Sequence, residues 1–432
     1  MNFKKWTTAL MLALAVSSCI QDEALNSEAA IDACTGADVQ LAHINSDSKE
    51  INIYVHKGAN LAKQQLLFTL PDGATIKADE HSPNDILNNY DFSNESHSRT
   101  FTVTSEDGEW TATYTVKVVP AEMPETFHFE ALLPSAGTEY DIFYEFEPGT
   151  STSVSRVAQW SSGNPGYKLT GMTDNRTGYP TQQVTDGYRG NGLKLTTCDT
   201  GSFGAMVQMY IAAGNLFIGS FDLANALKDP LRATKFGIQY YKRPIALKGY
   251  FKFKAGEVYT DEGEVQKDMK DRFDIYAILY EANENSFMLD GSNSLTSENI
   301  VAKAQISEEA AVETDEWTAF ELPFEPMNGK EINKLKLQDG KYKLSIVLSS
   351  SVKGAYFKGA VGRFGNTGSR RNFLNPFVIG LHQFLIDRSG QLFRIFLLNP
   401  KAEIDLAPFQ HFGYFVTDFH FLFPVKRSDT GR

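Results

Sequence analysis

Apolar and polar positions alternate with a period of two in several stretches of the chain. In 247–254, Leu247, Gly249, Phe251 and Phe253 fall on one face and Lys248, Tyr250, Lys252 and Lys254 on the other. That is the pattern of a half-buried antiparallel strand. The same reading predicts strands over 141–146, 193–197, 205–210, 274–281, 317–322 and 342–349. From Ile275 to Tyr280 both faces are apolar, which predicts a central strand covered on both sides. Within the apolar run from Met206 to Phe221, Gly214-Asn215 and Gly219 mark turns or bulges.

The first hundred residues repeat the pattern on a smaller scale. The runs VQLAHI, INIYV and LLFTL precede the turn Pro71-Asp72-Gly73. Phe101 and Val103, then Trp110, Ala112, Tyr114, Val116 and Val118, alternate with polar residues around the hairpin signal Glu106-Asp107-Gly108. Short strands at this spacing predict an immunoglobulin-like sandwich over 33–119. Pro120 and Pro124 then predict a linker over 120–126, because proline interrupts strand pairing and stiffens a connection. A larger module follows over 127–362, its strands joined by long Gly-, Asn-, Ser- and Asp-rich loops where binding residues concentrate. The fold class expected is all-β: an N-terminal Ig-like β-sandwich followed by a larger jelly-roll-like β-sandwich. Residues 363–432 change character, with frequent Phe and no clear alternation. They read as an atypical C-terminal extension, either a shifted reading frame or a hydrophobic segment docking on the sandwich.

Composition narrows the partners. The 432 residues carry a net charge of −12 and show no basic stripe, which argues against nucleic acid. Three cysteines, Cys19, Cys34 and Cys198, are too scattered for a zinc knuckle or a disulfide framework. Lys4 and Lys5, the apolar run 9–16 and the small residues Ser17 and Ser18 have the layout of a secretory signal, over 1–19. The apolar run is far short of the ~20 residues that a spanning helix needs. VSSC resembles a bacterial lipobox, which implies cleavage before Cys19 and its acylation as a membrane anchor. Residues 20–32 read as a flexible tether. Its Ile20-Gln21-Asp22-Glu23 resembles the acidic export signal of Bacteroidetes lipoproteins, which implies an outer-membrane lipoprotein facing the exterior; an ordinary acidic tether reads the same way.

Candidate chemistry is sparse. Sugar recognition calls for aromatic faces beside amides or carboxylates. Trp160 with Asn164, Tyr188 with Asp186, and Tyr240, Tyr241 and Arg243 supply those types in loops; the same aromatics also read as core packing. Hydrolysis calls for two carboxylates about 5 to 9.5 Å apart. Asp186, Asp199, Asp222, Asp271, Asp274, Glu281 and Asp290 are candidates that chain spacing does not bring together, so catalytic residues stay unassigned. No HExxH, CxxC, P-loop, GxGxxG or GxSxG occurs, and no cofactor or metal site is expected, though a structural calcium held by loop oxygens stays open.

The run IAAGNLFIGSFD, then TKFG and LKGYFKFKAGE, with FHFE, QWSSGNPG, GYRGNGLKLTT, DIYAILYE and LDGSNSLTSENIVAKA, resembles the putative carbohydrate metabolism domain (PCMD) family of Bacteroidetes lipoproteins. The 33–119 segment resembles the small Ig-like domains that precede larger modules in Bacteroides surface lipoproteins, and the larger module resembles the jelly rolls of carbohydrate-binding modules. These motifs are rich in Gly and aromatics and carry no catalytic signature, so they transfer fold better than function. The resemblance implies a surface-anchored protein that binds a glycan or polysaccharide, working with outer-membrane glycan-uptake partners. Alternatives from other classes are a glycoside hydrolase and a structural or adhesive surface protein joined through edge strands.

Overall fold

In a computed structural model of the chain, the described residues are 25–83, 85–133, 139–146, 156–206, 209–256, 259–261, 264–265, 269–282, 284, 287–352 and 377–387; for 156–157, 260–261, 264–265 and 377–387 the backbone alone is described. Cys19 and the rest of the expected signal segment lie outside them. Among the described residues no helix is long and apolar enough to cross a membrane. The all-β class holds.

The N-terminal module is a mixed sheet of β1 (Val39–Asn45), β2 (Glu50–His56), β3 (Thr75–Ala78), β4 (Ser98–Thr104) and β5 (Thr111–Ala121), in the order β1-β2-β5-β4-β3. β2 and β5 run parallel and the other pairs antiparallel. The β4–β5 hairpin turns at Glu106-Asp107-Gly108, where Gly108 takes a positive φ of 72°. Phe101, Val103, Tyr114, Val116 and Val118 point into the module's core, as their alternation predicts. At the end of the expected tether Ile31 is buried in that core, and the Asn26 amide donates to Glu106 Oε2 at 2.8 Å. Across the expected 120–126 linker β5 runs on through Pro120 and Ala121, and Ala121 and Met123, with Phe127 beyond it, are buried in the larger module's core.

The larger module is built on β6 (Thr181–Val184), β7 (Gly192–Leu195), β8 (Asn215–Phe217), β9 (Arg243–Phe253), β10 (Asp274–Glu281), β11 (Ile300–Gln305), β12 (Thr314–Pro323), β13 (Glu325–Pro326), β14 (Tyr342–Ser349) and β15 (Phe377–Asp387). One antiparallel sheet has the order β6-β7-β15-β9-β12, the other β8-β14-β10-β11-β13. Leu193, Leu195, Leu247, Phe251, Phe253 and Phe320 of the first meet Ile275, Ala277, Leu279, Leu344, Ile346 and Leu348 of the second in one core. Burying a side chain such as Phe251 contributes about 2–3 kcal/mol.

β10 is covered on both faces, as predicted. Tyr276, Ile278 and Tyr280 pack on its outer side with Phe217, Phe236 and Val347. Short helices cover that side: α1 (Asn164–Lys168), α2 (Gly201–Met206), α3 (Leu223–Ala226) and α4 (Pro230–Ala233). The strand expected over 205–210 is corrected here. Its first two residues close α2, which starts where the Gly201 amide donates to Asp199 Oδ1 at 2.7 Å. Six largely apolar residues fit either a strand or a helical turn, and the local side-chain bond decides. β15 falls in the segment read as an atypical extension, yet it lies in the middle of the first sheet, paired with β7 and β9.

Candidate functional site

The seven residues singled out for sugar contact have separate fates. Trp160 is 2% exposed and packs between Phe127 and Phe129, with ring centroids at 5.1 and 5.7 Å. Its Nε1 donates to Glu145 Oε1 at 3.3 Å, and Glu145 also accepts from the His128 and Phe129 amides. Trp160 is therefore a core residue. Asn164 is equally internal: its Nδ2 donates to the Thr181 carbonyl at 2.8 Å, and the Thr181 amide donates back to Oδ1 at 3.1 Å. Tyr240 is buried; Tyr241 lies tilted against His56 at 4.8 Å and donates to Gln239 Oε1. Arg243 is exposed at the start of β9. None of these four aromatic or amide groups offers an open stacking face together with Arg243.

Tyr188 differs. It sits half-buried in the β6–β7 loop, two residues after the exposed Asp186. The loop closes by a bond from the Gly187 amide to the Gly190 carbonyl at 3.0 Å. Gly190 has a φ of 71°, and a Cβ there would displace Glu130 Oε1, 2.1 Å away, so glycine suits the position best. Glu130 also accepts from the Asn191 amide at 2.8 Å, which fixes the loop tip. The Tyr188 ring is thereby laid over Tyr250, with centroids 3.6 Å apart and planes 12° from parallel, and edge-on to Trp317 at 6.0 Å.

The sheet register explains the opening. Tyr250 points out from β9, and its cross-strand neighbours are Ala319 on β12 and Gly380 on β15, a small residue and one without a side chain. Along the same face Lys248 pairs with Glu321 at 2.7 Å, and Lys252 Nζ lies 5.2 Å from the Trp317 ring centroid. Arg189 lies 5.7 Å from the Tyr188 ring. The Tyr250 phenol is held above its ordinary value, first by its hydrogen bond to Tyr188 and then by burial. Three half-exposed aromatics ringed by basic side chains thus share one outer sheet face. Tyr250 and Trp317 were not singled out from the sequence. The signal was available: Tyr250 is the aromatic member of the polar face of 247–254.

Most of the carboxylate candidates are engaged locally. Asp199 Oδ1 accepts the Gly201 amide, Asp222 caps α3 by accepting from the Asn225 amide, Glu281 pairs with Lys336 at 2.7 Å, and Asp290 holds a turn with Ser292 and Asn293. Asp271 accepts from Ser351 Oγ at 2.9 Å. Asp274 is 6% exposed and lines a cleft of about 320 Å3 on the outer side of the second sheet. Burial pushes its carboxyl up to about 6, against the Gln305 Nε2 bonds to both oxygens and the charges of Lys303 and Arg272. It is the one carboxylate among the described residues of that lining. No group of three His, Cys, Asp or Glu side chains placed to hold a metal occurs among the described residues.

Residues 128–363 match the model of the putative carbohydrate metabolism domain family, and residues 32–118 match the N-terminal domain of SGBP. No curated protein matches the chain. The crystal structure of a putative glycoside hydrolase from Bacteroides thetaiotaomicron is similar at TM-score 0.71 and 40% identity, covering 85% of this chain and 100% of its own. That of a putative glycoside hydrolase from Bacteroides vulgatus is similar at TM-score 0.53 and 41% identity, covering 61% of this chain and 98% of its own.

Proposed function

From a chain that belongs to the putative carbohydrate metabolism domain family and carries an SGBP N-terminal domain ahead of it, we infer a protein that binds a polysaccharide at the bacterial surface. The family places the chain in a carbohydrate-related role. The observation that carries binding is the Tyr188–Tyr250–Trp317 platform. The C–H faces of a pyranose stack on aromatic rings, and Lys252, Arg189 and the Lys248–Glu321 pair stand beside them to meet hydroxyl or acidic groups. An open sheet face suits an extended chain gripped at several residues. Anchoring at Cys19 through acyl chains, ahead of a short tether, would hold this face outside the cell and beside glycan-uptake partners.

Electrophoresis through gels cast with individual plant and host polysaccharides tests the reading. The full chain is retarded by at least one of them, and the double variant Tyr250→Ala, Trp317→Ala migrates freely. No retardation across a broad panel would refute it. The anchor has its own check: labelled palmitate enters the wild-type chain in a lipoprotein-processing host and not a Cys19→Ala variant.

Hydrolysis is the second reading, favoured by Asp274, whose elevated carboxyl suits a general acid. It requires a partner carboxylate across the cleft. Sugar release abolished by Asp274→Asn supports it; release unaffected by that change removes Asp274 from the chemistry.

A further inference from the structure

On the side of the second sheet that faces away from the main core, Asp274 and Tyr276 of β10 stand in register with Ser349 and Val347 of β14. These alternate residues floor the cleft of about 320 Å3, and the short helices above it contribute Phe203, Leu227 and Leu231 to its walls. A volume near the lower end of the roughly 300–1,000 Å3 range suits a single small organic ligand. The floor presents the Asp274 carboxylate and the Tyr276 and Ser294 hydroxyls, which lie 3.1 Å apart. The other polar side chains of the lining are turned to the protein itself, Ser349 donating to the Ser351 carbonyl, Ser351 to Asp271, Thr170, Thr200 and Thr234 to the Tyr167, Met209 and Leu231 carbonyls, and Asn215 to the Ala213 carbonyl. The helices above also carry exposed apolar side chains. Leu227, which follows α3, is 44% exposed, and Met206, at the end of α2, is 81% exposed.

A free pyranose carries hydroxyls around its whole edge. Against these walls most would lose water without a partner, at about 1–3 kcal/mol each. A flat ring with one donor loses nothing comparable. We infer that the cleft is a binding site for a small aromatic molecule, or an aromatic substituent of a larger one, that donates a hydrogen bond from a hydroxyl or N–H to the floor carboxylate of Asp274. The site is separate from the outer-face platform and does not depend on glycan binding there.

The probe is N-phenyl-1-naphthylamine, an apolar aromatic amine whose fluorescence rises on leaving water, titrated into the full-length chain. A saturable rise at one site per chain is expected, with affinity at least tenfold weaker in Ala226→Trp, which fills the cleft, and about tenfold weaker in Asp274→Ala. Melting temperature and polysaccharide retardation of the variants serve as controls. If Ala226→Trp does not fold, Leu227→Trp at the half-exposed rim carries the same test. Displacement by 4-ethylphenol identifies a free aromatic as the ligand type; displacement by phenyl β-glucoside alone identifies a sugar-borne one. A non-saturable rise, or filled variants that titrate like wild type, overturns the inference.

Discussion

Glu145 shows what a single buried residue can impose on the molecule. It is enclosed beside Trp160, and burial pushes its carboxyl from an ordinary 4.5 up to about 7, although the His128, Phe129 and Trp160 N–H groups pull the other way. Between those values the folded chain holds a proton that the unfolded chain releases. The stability this group supplies is whole below about 4.5 and is lost as pH rises toward 7. His43 works in the opposite sense: burial pushes it from 6.5 down to about 3, so its contribution is lost as pH falls through that range. Replacing Glu145 with Gln is expected to remove the first loss alone. Urea unfolding at pH 4.5 and pH 7 should show wild type losing roughly 3 kcal/mol more than the variant over that interval; equal losses would place the proton elsewhere. At this scale the sequence was least informative. Trp160 and Tyr188 look alike in Gly-rich loops, and what separates them is a buried carboxylate 15 residues upstream in one case and a ring on another strand in the other.

Strands with a clear pattern were legible, whether alternating or apolar on both faces. The strands expected over 274–281 and 342–349 match β10 and β14, and the apolar and polar faces of β9 fall as its spacing requires. Where the run was short, as before Tyr210, local hydrogen bonds chose a helix instead. β15 escaped for another reason. Gly380, His382 and Gln383 interrupt its apolar residues, its register with β9 shifts at two points, and Phe377–Asp387 sits among Phe-rich residues that share its composition, so no single period stands out. Its position makes a sharp prediction, since β9 pairs with β15 along one edge and β12 along the other. A chain ending after Gly362 exposes the edges of β7 and β9 and is expected to be recovered insoluble or without a cooperative melt. Ile379→Pro, which deletes one ladder donor opposite Phe251 and Leu193, is expected to cost about 1–3 kcal/mol in urea unfolding. Full stability in both would mean β15 is dispensable.

Across the whole molecule the two modules share a core. Leu41, Tyr54 and Val119 of the first are buried with Phe127, Trp160 and Leu216 of the second. Polar contacts line the same junction: Lys242 with Glu122 at 2.7 Å, Lys168 with Asp47 at 2.6 Å, and Asn52 Nδ2 donating to Gln159 Oε1 at 3.5 Å. The two partly exposed ion pairs contribute under about 1 kcal/mol each, so the apolar contact dominates. One cooperative thermal transition is therefore expected for 25–391, with Leu41→Asp splitting it into two; two transitions in the wild type would mean independent modules. A rigid junction also fixes the direction in which the aromatic platform faces relative to the N-terminal module, which a flexible linker would not. The most direct test of the binding claim is isothermal titration of the full chain and of Trp317→Ala with the polysaccharide that retards it. The platform predicts at least tenfold weaker binding by the variant at unchanged melting temperature, and equal affinity of the two proteins would contradict it.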